Sequence, residues 1–217
     1  MKTVDTSFEE LRGSFMIREG TNDSSIIQEV WGLSCYFDKQ SIRVSPGDVV
    51  VDVGAHIGAF TILASKMGGK VYAFEPERDN FKMLQMNVDR NLSDATLFNL
   101  ALCNKTGTCN LYLAEYNMGA HSTAHRVTNN IQIVTCGRLF DYVNGGIDFL
   151  KMDCEGGEYE ILHNLDLSRV GKLSMEYHGP AMLKLMSYLM EKNIRIVAYG
   201  GTLTQGIIRG VNDAYTH

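Results

Sequence analysis

Residues 49–60 read VVVDVGAHIGAF: an apolar run interrupted only by Asp52, then a turn holding Gly54 and Gly58, then the start of an apolar helix. Apolar side chains on both parities suit a strand buried on both faces, the condition of a parallel strand covered by helices. The chain repeats this alternation. IGAFTILASKMGG has helical spacing and a Gly68-Gly69 stop, KVYAFEP is a second strand, and RDNFKMLQMNVDRNL places Phe81, Leu84 and Val88 on one helical face with Asp79 as the expected N-cap. ATLFNLAL reads as a third strand, GIDFLKMDCEG as a fourth with a helix following from near Glu158, and KLSMEYH as a fifth. PAMLKLMSYLMEKN is a helix with Met182, Met186 and Met190 expected in the core, and IRIVAYG with QGIIRGV closes the sheet as an edge pair. TCNLYLA and IQIVTC are short extended pieces flanking a polar loop near 115–130, read either as a substrate lid or as an ordinary surface loop. Strands alternating with helices specify an α/β fold with a mostly parallel sheet, right-handed crossovers and helices on both faces.

A length of 217 residues and 45% apolar content fit one such domain, expected at 46–217. Residues 1–45 are expected as a helical or irregular extension, acting as a lid or a dimer contact, which leaves a homo-oligomer open. Within it TNDSSIIQEVWG has Asp23 or Ser24 as N-cap of a short amphipathic helix. The acidic start has no apolar segment of signal-peptide type, and no run approaches the ~18 apolar residues of a membrane span. Five cysteines without zinc spacing point to reduced thiols in a cytoplasmic protein. A net charge of −5 gives no basic footprint for nucleic acid, which disfavours an RNA-modifying role.

Ligands of such sheets sit beyond the carboxyl ends of the strands, so Asp52 to Gly58, Glu75-Pro76, Ala101-Leu102, Asp153 to Glu158 and Glu176 to His178 form the candidate site. A pyrophosphate loop requires G-x-G-x-x-G, and position 56 is His. Asp52 would repel a pyrophosphate and suit a cation, while Gly54 and Gly58 permit close backbone approach. Glu75 falls 21 residues after Gly54 (75 − 54), the place of a ribose-hydroxyl acceptor. Together these favour a cationic adenosine cofactor, S-adenosylmethionine. The alternative is that Asp52 and Glu75 only cap helices.

VVDVGAHIGAFTILAS with GKVYAFEPERDNFKMLQMNVDRN resembles the nucleotide-binding half of a class I S-adenosylmethionine-dependent methyltransferase. IDFLKMDCEGGEYEILHNL followed by LSMEYH, with the earlier REGTNDSSIIQEVW, resembles the FkbM type. His56 stands where that family usually has Asn, and can also donate a hydrogen bond near the cofactor. The resemblance implies a Rossmann-like domain with a seven-stranded sheet. It implies methyl transfer to a hydroxyl of a sugar or polyketide-like acceptor. Asp52, Gly54, His56, Gly58, Glu75, Pro76 and Ala101 would then surround the cofactor.

Lys151 and Asp153 share a strand face, and Glu155 continues that parity if the strand extends. Asp153, Glu155, His178 and Lys151 are the candidates to orient the acceptor or take its proton, with His121 and His125 less favoured. Asp153 could instead be the structural partner of Lys151, and His178 a satisfied strand-end histidine. Asp153, Glu155 and Glu176 are hard-cation ligands, but no spacing establishes a divalent site and no metal ligand is assigned; the H-x₃-H of His121 and His125 lacks a third zinc ligand. Cys154, between two acids, is a poor nucleophile. An NAD-linked oxidoreductase and a non-catalytic binding protein of the same fold are the rival readings.

Overall fold

The structure, a computed structural model, describes residues 1–38, 40–114, 119–123, 128–179 and 182–216. In chain order it contains β1 (Lys2–Phe8), β2 (Leu11–Ile17), α1 (Asp23–Ile27, continued by a π-helical turn over Gln28–Gly32), β3 (Val49–Val53), α2 (Ala59–Lys66), β4 (Lys70–Phe74) and α3 (Arg78–Arg90). There follow β5 (Ala95–Phe98), β6 (Ala101–Leu102), β7 (Gly107–Tyr112), β8 (Ile131–Gly137), β9 (Ile147–Met152), α4 (Glu158–His163), β10 (Val170–His178), α5 (Met182–Glu191), β11 (Ile194–Gly201) and β12 (Gln205–Asn212).

Seven strands form the main sheet in the order β11-β12-β10-β9-β3-β4-β5. From β10 to β5 all pairs are parallel, and β12 is antiparallel to both its neighbours. This is the expected mostly parallel sheet with an antiparallel pair, β12 being inserted between β10 and the edge strand β11. The central strands obey period two. Val50 and Phe149 face one hydrophobic core with α2 and α3, whereas Val51, Val53, Leu150 and Met152 face the other with α4 and α5. Asp52 and Lys151 fall on the α2 side by the same parity.

Several sequence expectations need correction. ATLFNLAL is two strands, because Asn99 turns its amide back onto the carbonyls of Glu75 and Pro76 (2.8 and 3.1 Å) and sends β6 into a separate sheet with β8 and β7. The helix at 78 is capped by Glu77, which accepts from the Asn80 N–H at 2.7 Å, while Asp79 pairs with Lys82 on the surface. Asp23 is the first residue of α1 and not its cap; its buried carboxylate takes Arg18 instead. Met190 is 62% exposed, outside the core assigned to it.

The largest difference is at the N-terminus. Residues 2–17 are an antiparallel hairpin, where a helical or irregular segment was expected. Its outer strand docks through two asparagines one turn apart on α3. Asn87 accepts the Met16 N–H (2.7 Å) and donates to the carbonyls of Met16 (3.2 Å) and Ile57 (2.9 Å). Asn91 accepts the Ser14 N–H (3.0 Å) and donates to its carbonyl (2.8 Å). The side-chain amides thus continue the strand's hydrogen-bonding pattern. Phe8, Phe15, Trp31, Tyr36 and Phe37 join the same core as Val50, Phe60 and Phe149, so residues 1–45 are continuous with the main core. No helix among the described residues is long and apolar enough to cross a membrane.

Replacing Asn87 by Ala orphans the buried Met16 N–H and two carbonyls. We expect a loss of about 3 kcal/mol in urea denaturation. An unchanged midpoint would show that apolar contacts alone hold the hairpin.

Candidate active site

The site begins at the register of β3 and β9, which sets Asp52 opposite Lys151. Both are buried, at 0% and 3% exposure, and Nζ lies 3.0 Å from Asp52 Oδ1. Thr61 donates to the other Asp52 oxygen at 2.6 Å. Lys151 also donates to the carbonyls of Gly54 (2.7 Å) and Val53 (3.2 Å), and its ammonium lies 5.2 Å from the centroid of the Tyr36 ring. Three acceptors match the three hydrogens of an ammonium. Burial alone would lower the lysine's pKa; Asp52 and then Asp153 outweigh it and hold it above the ordinary value. Lys151 is therefore a charged anchor for the turn after β3, a structural role in place of the catalytic one expected. Asp52 is absent from the cavity wall, so its negative charge is answered by Lys151 and not by a ligand.

The two glycines are needed for protein packing. Gly54 has φ +74°, and a Cβ there would collide with the Asp153 carbonyl. Gly58 has φ +92°, and a Cβ would come 2.7 Å from Leu84; it does not reach the cavity. Gly54, His56, Glu75, Pro76 and Ala101 do line it. His56, at φ +51°, points its N–H at Glu75 (2.8 Å), whose other oxygen accepts the Glu77 N–H (2.8 Å). Burial pushes Glu75 up to about 7, against the pull of these two bonds. Burial, aided by Arg18, takes His56 down to about 3, so its ring is neutral. Since Arg18 can only donate, His56 Nε2 accepts at 3.3 Å and the proton sits on Nδ1.

The cavity has a volume of about 300 Å³ and lies at the carboxyl ends of β3, β4 and β9. Opposite Glu75 its wall carries Asp153, Glu155 and Glu176, with Glu29, Cys35 and Tyr36 contributed by the N-terminal segment. Tyr36 donates to Asp153 at 2.8 Å, across 117 residues of sequence. β9 ends at Met152, so the strand does not extend to Glu155, which sits at φ +53° in the loop and reaches the cavity from there. Burial and then Asp153 push Glu155 up to about 7, and the same two causes raise Glu176.

His178 stands behind this wall and does not line the cavity. Its Nε2 is 3.2 Å from Glu155 and 3.6 Å from Glu176, and its Nδ1 is 3.3 Å from Glu158. Burial opposes its charge, but Glu158 and Glu155 prevail and raise it to about 9. An imidazolium cannot accept a proton, which corrects its expected role as base. Glu158, the first residue of α4, also accepts the N–H groups of Cys154 and Gly156, and His178 with these bonds outweighs burial to hold it below its ordinary value. Asp153, Glu176 and His178 offer ligand atoms within 4.8 Å of one another.

His121 Nδ1 accepts the Ala114 N–H at 2.9 Å, leaving its neutral ring a donor at Nε2 and no base. His125 lies outside the described residues. Burial, then Glu158, pushes the Cys154 thiol far up, as its acidic neighbours suggested. Tyr36 was not singled out from the sequence, and Arg18, Asp23 and Glu29 stood there only within the REGTNDSSIIQEVW stretch, with no role at the site; each meets it through distant packing.

The family model for the FkbM methyltransferase domain matches residues 52–196. The chain belongs to the FkbM methyltransferase family. It is 24% identical over 204 residues to the hexuronic acid methyltransferase AglP of Haloferax volcanii, covering 82% of this chain and 84% of that one. It is 38% identical over 68 residues to the 31-O-demethyl-FK506 methyltransferase FkbM of Streptomyces tacrolimicus, covering 30% of this chain and 26% of that one. The crystal structure of an FkbM methyltransferase from Methylobacillus flagellatus superposes with a TM-score of 0.60 at 20% identity, over 82% of this chain and 47% of that one. The chain thus spans about half of that protein and about a quarter of the Streptomyces relative. The chain accordingly carries an S-adenosylmethionine-dependent methyltransferase domain.

Lys151→Met leaves Asp52 buried with Thr61 alone. We expect it to lose about 3–5 kcal/mol in chemical denaturation, most of it recovered by adding Asp52→Asn. The histidine gives a pH test. Its folded value of about 9 exceeds the ordinary 6.5, so its stabilisation is complete below pH 6.5 and lost as pH rises through 9. Thermal midpoints should fall across that interval, and the fall should be absent in His178→Gln.

Proposed function

We propose that this FkbM domain moves a methyl group from S-adenosylmethionine to a hydroxyl oxygen of a small acceptor, such as a sugar or polyketide-like metabolite. The observation that carries the cofactor reading is Glu75, a buried carboxylate on the cavity wall, fixed by the N–H groups of His56 and Glu77. With Asn80 as a further side-chain donor to it, the carboxylate still has acceptor capacity to offer a ribose hydroxyl. Pro76 and Ala101 supply apolar wall beside it, and the backbone of Gly54 and Ala55 leads to the acidic side. The cofactor supplies a methyl group on a sulfonium sulfur, open to in-line displacement by an oxygen.

The chain's own contribution is positioning and proton removal. Asp153, held by Tyr36, orients the acceptor hydroxyl. Glu155, at about 7, is partly ionised near neutrality and suited to take the proton. His178 and Glu158 hold Glu155 from behind, and Lys151 with Asp52 keeps the Gly54 turn in place. The N-terminal segment roofs the acceptor side through Glu29 and Tyr36. A hydroxyl acceptor is supported by the relative acting on 31-O-demethyl-FK506, and a sugar acceptor by the relative acting on a hexuronic acid. A nicotinamide dinucleotide fits poorly, because its pyrophosphate would lie among Glu75, Asp153, Glu155 and Glu176.

Isothermal titration should show S-adenosylmethionine binding, weakened at least about tenfold in Glu75→Ala. Incubation with labelled cofactor and a metabolite extract should yield a product heavier by one methyl group. Absence of cofactor binding in the folded wild type would refute the reading.

A further inference from the structure

The acceptor side of the cavity is lined by carboxylates, and the cations beside it are already engaged. Glu29, Asp153, Glu155 and Glu176 all line it. Lys151 shares that wall, but its ammonium is paired with the Asp52 carboxylate and donates to the carbonyls of Val53 and Gly54. Arg18 holds the buried Asp23 with two prongs, at 3.0 and 2.8 Å, and does not reach the wall. His178 lies behind Glu155 and Glu176 and is paired with Glu155 and Glu158. Arg209 donates to the Cys35 carbonyl and does not line the cavity, so among the described residues Lys151 is the one lysine or arginine on its wall. Burial and then repulsion from Asp153 raise the carboxyls of Glu29, Glu155 and Glu176, so an entering cation relieves that repulsion and an entering anion adds to it.

At a half-buried wall such as this, like charges repel and opposite charges attract more than in bulk solvent. Selection against the wrong charge is also the cheapest form of specificity a pocket has. We infer that the acceptor bears no negative charge near its reacting hydroxyl, and that a protonated amine there, as in an amino sugar, is favoured. The inference rests on the methyl-transfer reading above and names the chemical class of its acceptor. Glu29 and Glu176, which approach from the N-terminal segment and from β10, would face the amine, while Asp153 holds the hydroxyl. On this reading the chain differs in charge preference from its relative that acts on a hexuronic acid.

The test uses the full chain loaded with S-adenosylhomocysteine and three probes of one ring size: glucosamine, glucose and glucuronate. Binding is followed by saturation-transfer NMR near pH 7. Glucosamine should bind at least about tenfold more tightly than glucuronate, with glucose between them. Glu29→Gln, at an exposed position and remote from Glu75, should fold normally and narrow that gap. Glucuronate binding as tightly as glucosamine would overturn the inference, and so would binding of none of the three. A separate titration of S-adenosylhomocysteine keeps the two readings apart. If it does not bind, the proposed function itself falls; if it binds and the sugar order is reversed, only the acceptor class is wrong.

Discussion

A carboxylate and an ammonium facing each other across two central parallel strands hold this site together. Asp52 and Lys151 are buried in the middle of the sheet, where either charge alone would be intolerable. Their pairing satisfies Asp52 together with Thr61 from α2, and leaves Lys151 two further hydrogens for the carbonyls of Val53 and Gly54. The turn after β3 is thus fastened at its first residues. With the turn fixed, the His56 N–H can aim at Glu75, and Glu75 can stand at the cavity wall. Stability and the shape of the cavity wall depend on the same contacts.

The second constraint is the approach of two loops. Gly54 has no Cβ, so the Asp153 carbonyl can sit against it, and the Asp153 N–H bonds the Val53 carbonyl at 3.0 Å. The loop after β9 is thereby pinned to the loop after β3. That pinning brings Asp153 and Glu155 to the cavity, while α4 turns Glu158 inward to hold His178. A glycine that the sequence suggests is there for a ligand is thus there for a neighbouring loop, and the ligand inherits the space beside it.

The strand–helix alternation and the carboxyl-end positions were legible because burial period and turn chemistry are local. Glu75 could be placed from its spacing alone, since a strand and a helix of ordinary length bring it to the next strand end. What Asp52 and His178 do was not legible. Asp52 reads as a ligand group until its register partner is known, and register depends on strand order. His178 reads as a neutral base until three carboxylates from α4, its own strand and the preceding loop are seen around it. The hairpin was hidden for another reason. Its strands pack on one face only and rely on Asn87 and Asn91, seventy residues away in sequence, for their outer hydrogen bonds.

Trp31 joins these parts physically. It is the only tryptophan of the chain, 1% exposed, edge-on to Phe15 of the hairpin, and its indole N–H bonds the Ala59 carbonyl at 2.9 Å. Ala59 opens α2 directly after the Gly58 turn. The single indole therefore spans the joint between the N-terminal segment and the helix that begins the cofactor side. Its emission is a built-in optical gauge of whether that joint is closed, free of background from any second fluorophore of its kind.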